Sequence, residues 1–356
     1  DSRSLPSADG HRMIPDILSS PRPASVGRAV GFRLAGTGSW VPPDIVTNAD
    51  LARLGCDPEW IESRSGILAR RHAQAGIATS DMATAACRAA LHSAGADPAD
   101  VDLLVLGTFT PDHCIPSAAC LVQEQLGVLA PAMDVTAACA GFAYALVTAA
   151  QFLVAGNSRL ALVAGADTNT RVIDPEDIGT WPLFGDGAGA VVLERIDDGA
   201  APPRGLLAHS LGADGRGAEL LVCPMGGSRQ PVSVAGVARR EQYMRMEGKA
   251  VFKWAIRLVE ENVRQVAAHA GVGLEEIDCF ILHQANARII DGARSALGLP
   301  ADRFVVNLDR FGNTSSGSIP LALDEAWRAG RVGPGSLVLV CGFGGGLAWG
   351  SAVWRL

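Results

Sequence analysis

Unbroken apolar runs recur along this chain: LLVLGTF at 103–109, LALVAGA at 160–166, FIL at 280–282 and LVLVCGF at 337–343. A strand with one wet face alternates apolar and polar side chains. A strand covered on both faces reads as a continuous apolar stretch. These runs therefore predict strands buried between layers. Helical patterns separate them, one closing at Gly95, one at Gly271, and one running through AYALVTAAQFLVAG (143–156). Strands alternating with helices predict βαβ units in parallel sheets, an α/β fold.

The pattern repeats. ALHSAGADPADVDLLVLGT (90–108) is echoed by AAHAGVGLEEIDCFILHQ (267–284), with Gly95 on Gly271, Val101 on Ile277 and Asp102 on Asp278, each pair 176 residues apart. At the same spacing ALVAGAD (161–167) falls on LVLVCGF (337–343), and Cys139 falls on Ser315. Matches at one shift predict a duplicated molecule, with halves at 31–200 and 201–356. Residues 1–30, rich in Pro, Ser and Arg, read as a mobile tail and lack the apolar stretch of a secretory signal.

Composition narrows the function. Across 356 residues, 48% hydrophobic and 19% charged content predicts a globular protein with a sizeable core. A net charge of −7 removes the general electrostatic case for nucleic acid. No run approaches the ~18 apolar residues of a membrane span. Eight cysteines occur without a CxxC pair, so neither a metal site nor a disulfide framework is expected. A reducing, cytoplasmic setting fits that usage, with most of the cysteines as small core residues.

Cys139, in DVTAACAGF (134–142), stands apart. It precedes a helical pattern, and the positive end of a helix favours a thiolate. Small neighbours leave room for a substrate. On this segment alone a nucleophile and a buried structural cysteine fit equally well. His283 ends a predicted strand and opens onto the polar Gln284-Ala285-Asn286-Ala287-Arg288, where α/β folds gather their chemistry. Asn313, in RFGNTSSGSIP (310–320), precedes another helix, either as a turn residue or as a group facing Cys139 from the duplicate half. GFGGGLAWGS (342–351) is too glycine-rich for an ordinary strand, and its free N–H groups suggest an oxyanion hole.

These segments, with GTGSWVPPDIVTNADL, EWIESRSGI, IPSAAC, LFGDGAGAVVLE, HQANARII and FGNTSSGSIPLALDEA, make most of 31–356 resemble β-ketoacyl-[acyl-carrier-protein] synthase III. GDGAG enters a strand rather than a helix, so it carries no dinucleotide-binding reading. The resemblance implies a thiolase-like fold, two halves forming α-β-α-β-α layers. It implies that Cys139 takes an acyl group from acyl-CoA, and that His283 and Asn313 then stabilise the enolate left when malonyl-acyl carrier protein loses CO2. The new carbanion attacks acyl-Cys139, whose oxyanion rests on the N–H groups of Cys139 and Gly345. CoA and phosphopantetheine thioesters are substrates, with no cofactor or metal.

The resemblance also places CoA on Trp60 and Arg64, which would clamp the adenine, and on Arg171, Gly248, Ala285, Asn286 and Arg288, with Phe343 shielding the malonyl group. Lys249, Lys253 and Arg257, four residues apart on one predicted helix face, would dock the acidic carrier protein, with Arg239, Arg240 and Arg245 just before them. Lys249 and Lys253 are the chain's two lysines. A homodimer is implied, with IPSAAC reaching the partner's acyl pocket. Ile115, where acetyl-primed enzymes often carry an aromatic residue, and small Cys114 predict a primer longer or more branched than acetyl. An acyltransferase that moves its acyl group without decarboxylation is the main alternative. A thiolase is disfavoured because Gly342 stands where its second cysteine belongs, a plant-type polyketide synthase because Gly345 replaces its loop proline. An inactive partner subunit is disfavoured because Cys139, His283 and Asn313 are all present.

Overall fold

The protein is described from a computed structural model covering residues 25–196 and 202–356. Ten strands form two five-stranded sheets. In chain order they are β1 (Ser25–Val30), β2 (Phe32–Trp40), β3 (Leu103–Gly107), β4 (Ala132–Val135), β5 (Leu160–Asp167) and β6 (Gly187–Arg195). The remaining four are β7 (Gly205–Ala213), β8 (Cys279–Leu282), β9 (Leu337–Gly344) and β10 (Ala348–Arg355). One sheet runs β2-β6-β5-β3-β4, the other β1-β7-β10-β9-β8. Four strands of each sheet share one order, with β2, β6, β5 and β3 answered by β7, β10, β9 and β8. A parallel bridge between Phe280 and Phe304 stands in the place of β4.

Three expectations change. The sheets are mixed rather than parallel: only β3 with β4, β3 with β5, and β8 with β9 run parallel. Between β5 and β6 the chain makes only short turns, and β9 and β10 are a hairpin closed by residues 345–347, so each pair runs antiparallel. The stretch expected to be too glycine-rich for strand is thus mostly strand, with glycine concentrated at the turn. Residues 25–30, assigned above to a tail, form β1 and pair with β7 across the molecule. The earlier part of that stretch lies outside the described residues.

Three helix layers cover the sheets. Helices α1 (Thr79–Ala94) and α2 (Ala118–Leu126) pack on the outer face of the first sheet through Met82, Cys87, Leu91 and Val122. Helices α4 (Gly248–Ala270) and α5 (Ala287–Leu297) cover the second. Between the sheets lie α3 (Gly141–Val154) and α6 (Ser318–Arg328). Phe142, Leu146, Ala149 and Leu153 of α3 join Ile319, Ala322, Leu323 and Ala326 of α6 in one core, against Val105, Val163, Ile281 and Val338. A helix enclosed this way can be apolar nearly all round, as α3 is.

Close approach of the middle layer requires glycine at two strand ends. A Cβ on Gly107 would lie 2.4 Å from the Gly141 carbonyl carbon, and one on Gly165 would lie 2.2 Å from the Ser316 carbonyl oxygen. The starts of α3 and α6 are thereby seated against strand ends at the centre of the molecule. Among the described residues, no helix is long and apolar enough to cross a membrane.

Candidate active site

A tight 3-10 turn leads into each central helix, Ala138–Ala140 before α3 and Ser315–Gly317 before α6. The first residue of each, Ala138 (φ 45°) and Ser315 (φ 52°), sits in the left-handed region, a strain of roughly 1–2 kcal/mol that surrounding packing holds in place. The match of these turns makes Ser316 the spatial counterpart of Cys139, one residue on from the sequence register. The register slips because the turns follow loops of different length.

Cys139 is the middle residue of its turn and is buried. Its Sγ accepts a hydrogen bond from Ser315 Oγ at 3.3 Å. The sequence suggested a thiolate favoured by the helix end. In the structure, burial dominates and pushes the thiol up to about 12, against the opposing hydrogen bonds from Ser315 and the backbone, with Asp167 adding to the rise. The resting group is a thiol, because a helix end offers a partial charge while burial removes the whole hydration shell.

His283 follows β8 and its backbone N–H is held by the Cys341 carbonyl at 2.8 Å. The ring is 2% exposed, with Nδ1 2.7 Å from Ser318 Oγ and the Phe343 ring edge-on at 5.2 Å. Burial lowers its pKa to about 3, so the imidazole is neutral near pH 7. Asn313 is fixed by its backbone, which donates to the Leu183 carbonyl at 2.8 Å and accepts from Gly185 N–H at 3.0 Å. Its Oδ1 accepts from Ser315 N–H at 2.8 Å, which leaves the amide Nδ2 as the free end.

Cys139, His283 and Asn313 line one cavity of about 200 Å³, together with Phe343 and Gly344. Gly248, Ala285 and Asn286, expected on the CoA path, line it too. Cys139 also borders a second cavity of about 560 Å³, whose walls include Leu221, Met225, Met244, Cys114 and Gly345. The sulfur therefore stands between two chambers. A Cβ on Gly344 would lie 3.3 Å from Sγ and 2.9 Å from the Cys139 nitrogen; Gly345, the next residue, borders the larger cavity.

Other candidates are more dispersed. Trp60, 45% exposed, lines a separate surface crevice of about 320 Å³ with Ile178 and Cys56. Neither Arg64, expected to clamp the adenine with Trp60, nor Arg171 lines that crevice: the Arg171 guanidinium donates to the Ala73 and Gln74 carbonyls, at 3.3 and 2.8 Å. An aliphatic side chain, Ile178, shares the crevice with Trp60 instead. Arg64 is exposed, and its carbonyl accepts from Asn286 Nδ2 at 3.1 Å. Arg288 stacks over Phe252 at 5.3 Å. Ile115 is 86% exposed and does not line the chamber that neighbouring Cys114 borders. Lys249, Lys253 and Arg257 are exposed on α4, while Arg239 pairs with Glu241 and Arg240 with Asp174. Cys114, Cys120 and Cys223 are exposed, contrary to the core role expected for most cysteines.

Sequence reasoning assigned no role in the site to Asp167, Ser315 or Ser318. Asp167 is fully buried at the end of β5. Its Oδ1 accepts from Thr108 Oγ1, Phe109 N–H, and the N–H and Oγ1 of Thr110, while Oδ2 accepts from Ser316 N–H at 2.9 Å. One carboxylate thus ties the loop after β3 to the turn behind Asn313. A buried Asp ending a strand run, opposite a run of Thr, was the available clue.

Comparison with known proteins points to one family. The profile of the family 3-oxoacyl-[acyl-carrier-protein (ACP)] synthase III matches residues 133–215, and that of its C-terminal region matches residues 267–356. A β-ketoacyl-[acyl-carrier-protein] synthase III of Rhodopirellula baltica is 51% identical over 344 residues, 93% of this chain and 100% of that protein. One from Desulfitobacterium hafniense is 45% identical, covering 91% of this chain and 97% of its own length. The crystal structure of 3-oxoacyl-[acyl-carrier-protein] synthase III from Aquifex aeolicus superposes with a TM-score of 0.82 at 41% identity, covering 92% of this chain and 100% of that one.

Proposed function

This chain belongs to the β-ketoacyl-[acyl-carrier-protein] synthase III family, and from that premise we propose how its own residues carry out the family's condensation of an acyl-CoA with malonyl-acyl carrier protein. The carrying observation is that Cys139, His283 and Asn313 line one small cavity while the same sulfur borders a larger one.

In the first stage Cys139 Sγ bonds to the acyl carbonyl carbon and the carbon–sulfur bond to CoA breaks. The thiol proton leaves with CoA, which departs as a free thiol. The Ser315 hydroxyl and the N–H groups at the start of α3 stabilise negative charge as it forms on sulfur, which lets a group with a high resting pKa react. The acyl chain occupies the larger chamber, among Leu221, Met225 and Met244.

In the second stage the malonyl thioester enters by the smaller cavity. As its C–CO2 bond breaks, the electron pair moves toward the thioester oxygen, which His283 and Asn313 N–H groups hold. Preorganised donors of this kind are each worth about 3 kcal/mol in a transition state. The enolate carbon bonds to the acyl carbonyl, whose oxyanion rests on the Cys139 and Gly345 N–H groups. The carbonyl then re-forms, Cys139 sulfur leaves and takes up a proton, and the β-ketoacyl product remains on the carrier protein. Phe343, edge-on to His283, keeps this side of the site dry.

The finer assignments draw on the larger cavity and on exposed surface. The large chamber and the aliphatic Ile115 favour a primer longer or more branched than acetyl. Exposed Ile115 and Leu129 offer apolar surface for a second copy of the chain, consistent with a homodimer. Trp60 and Ile178 offer a stacking crevice for the adenine of CoA, without Arg171. Lys249, Lys253 and Arg257 offer a basic helix face for an acidic carrier protein. Transfer without decarboxylation needs no second amide donor beside His283, and the backbone clamps on Asn313 favour condensation.

Mass spectrometry of the intact protein after exposure to mixed acyl-CoAs should show one acyl adduct, absent in Cys139→Ser, with C6–C10 chains outcompeting acetyl. Labelled malonyl-carrier protein should then release CO2. Adduct formation without CO2 release would reject the condensation; a dominant acetyl adduct would reject the primer assignment.

A further inference from the structure

A neutral imidazole carries one proton on one of two nitrogens, and the partner of one nitrogen decides what the other can do. His283 ring Nδ1 lies 2.7 Å from Ser318 Oγ. The same oxygen is 3.4 Å from the Gln284 backbone nitrogen, whose N–H can only donate. That donation occupies a lone pair of the Ser318 hydroxyl. The hydroxyl's own proton needs an acceptor, and Ser318, 1% exposed, has no access to water for it. Among the described residues, Nδ1 is the acceptor recorded for that hydroxyl. A proton on Nδ1 would give Oγ two donors and leave the hydroxyl proton buried and unpaired, costing about 1–3 kcal/mol.

Ser318 is the first residue of α6, which is clamped between the sheets, so its oxygen does not drift. We propose that Ser318 is a positioning residue that locks His283 with its proton on Nε2, so that the ring meets the substrate as an N–H donor and is unable to act as the base for Cys139. The assignment deepens the condensation reading above and rests on it for the identity of the acceptor oxygen. Burial supports it by keeping the ring neutral.

The arrangement has a parallel one turn away. Asn313 Oδ1 is occupied by Ser315 N–H, so Asn313 also presents only its N–H end. Both groups facing the thioester oxygen are thus donors by construction, each set by a serine of the same turn and helix. The Cys139 proton has no imidazole to receive it and departs with the CoA sulfur.

The test begins with the unmodified enzyme. Long-range 1H–15N spectra near pH 7, with His283 identified by the signals lost in His283→Ala, should show a protonated Nε2 and an unprotonated Nδ1. A proton on Nδ1 would overturn the proposal without any variant having to fold. Ser318→Ala should then mix the tautomers and lower CO2 release from malonyl-carrier protein about tenfold relative to self-acylation by acyl-CoA, the size expected for losing one buried hydrogen bond. Ser318→Thr, which keeps the hydroxyl, should restore the ratio. Equal loss of both partial reactions, or loss of neither, would refute the assignment. A wild-type enzyme with the Nε2–H signal but no CO2 release would sink the condensation reading while leaving the tautomer supported.

Discussion

A cysteine with a pKa pushed up to about 12 looks like a poor nucleophile until its neighbours are counted. Sulfur in this site receives a hydroxyl hydrogen bond and faces the start of a helix, both of which gain strength only as charge develops. Catalysis then comes from stabilising the transition state rather than the resting thiolate. Alkylation of Cys139 by iodoacetamide should therefore keep rising through pH 9, since the thiol titrates above its ordinary value of 9.0. A plateau below pH 8 would contradict this. Ser315→Ala should slow both alkylation and self-acylation, because it removes the donor that favours the anion. At this scale the candidate side chains stand out in the sequence, because Cys139, His283 and Asn313 each interrupt an apolar or small-residue pattern, and the structure brings them to one cavity. It could not expose Ser315, Ser318 or Asp167. Hydroxyl and carboxylate side chains acquire their roles from partners far along the chain, 176 residues away for Ser315 with Cys139 and 149 for Asp167 with Ser316. Arg171 shows the converse: its type suits phosphate, but the fold commits it to two backbone carbonyls.

The reactive turns depend on how tightly elements meet. Gly165 lets the turn before α6 rest directly on β5, and Gly107 does the same for α3 on β3. Gly165→Ala would place a methyl 2.2 Å from the Ser316 carbonyl, which forces the Asn313 turn outward. Overpacking of this kind costs typically 1–3 kcal/mol. We expect a lowered denaturation midpoint and a larger loss in condensation than in self-acylation, since Asn313 serves only the second stage. Gly333→Ala, with nothing within 4 Å of its Cβ, is the control and should change neither. Matching losses in the two variants would show the contact to be unimportant. Element existence was legible from the apolar runs, and the repeat spacing placed β3 against β8 and β5 against β9. Strand direction was not legible. It depends on whether a connection crosses the sheet or folds back, which residues 168–186 and 345–347 decide by making turns alone. The pairing of β1 with β7 was hidden for a similar reason, because a strand's partner across the molecule leaves no local periodic mark.

Across the whole molecule, burying ionisable groups links stability to pH. His72 packs edge-on to Trp181 at 4.9 Å and its Nε2 has no hydrogen-bond partner. Burial, then the positive charges of Arg70 and Arg53, lower its pKa from 6.5 to about 4, with Asp44 opposing. His283 is lowered further, to about 3. Between pH 6.5 and these values the unfolded chain binds protons that the folded chain refuses. Stability is therefore complete above pH 6.5 and declines as pH falls toward 4, by about 1.4 kcal/mol per pH unit for each group. His283 belongs to the proposed reaction, so His72 is the group to test. His72→Phe keeps the ring against Trp181 and removes one titration. Its unfolding free energy should fall less steeply than that of the wild type between pH 6.5 and 4, gaining roughly 2 kcal/mol on it at pH 5. Above pH 7.5 the two curves should run parallel, because neither folded nor unfolded His72 is charged there. Parallel curves across the whole acid range would mean that His72 is as easily protonated in the fold as in water, and that the Trp181 face of the molecule is wetter than its packing implies.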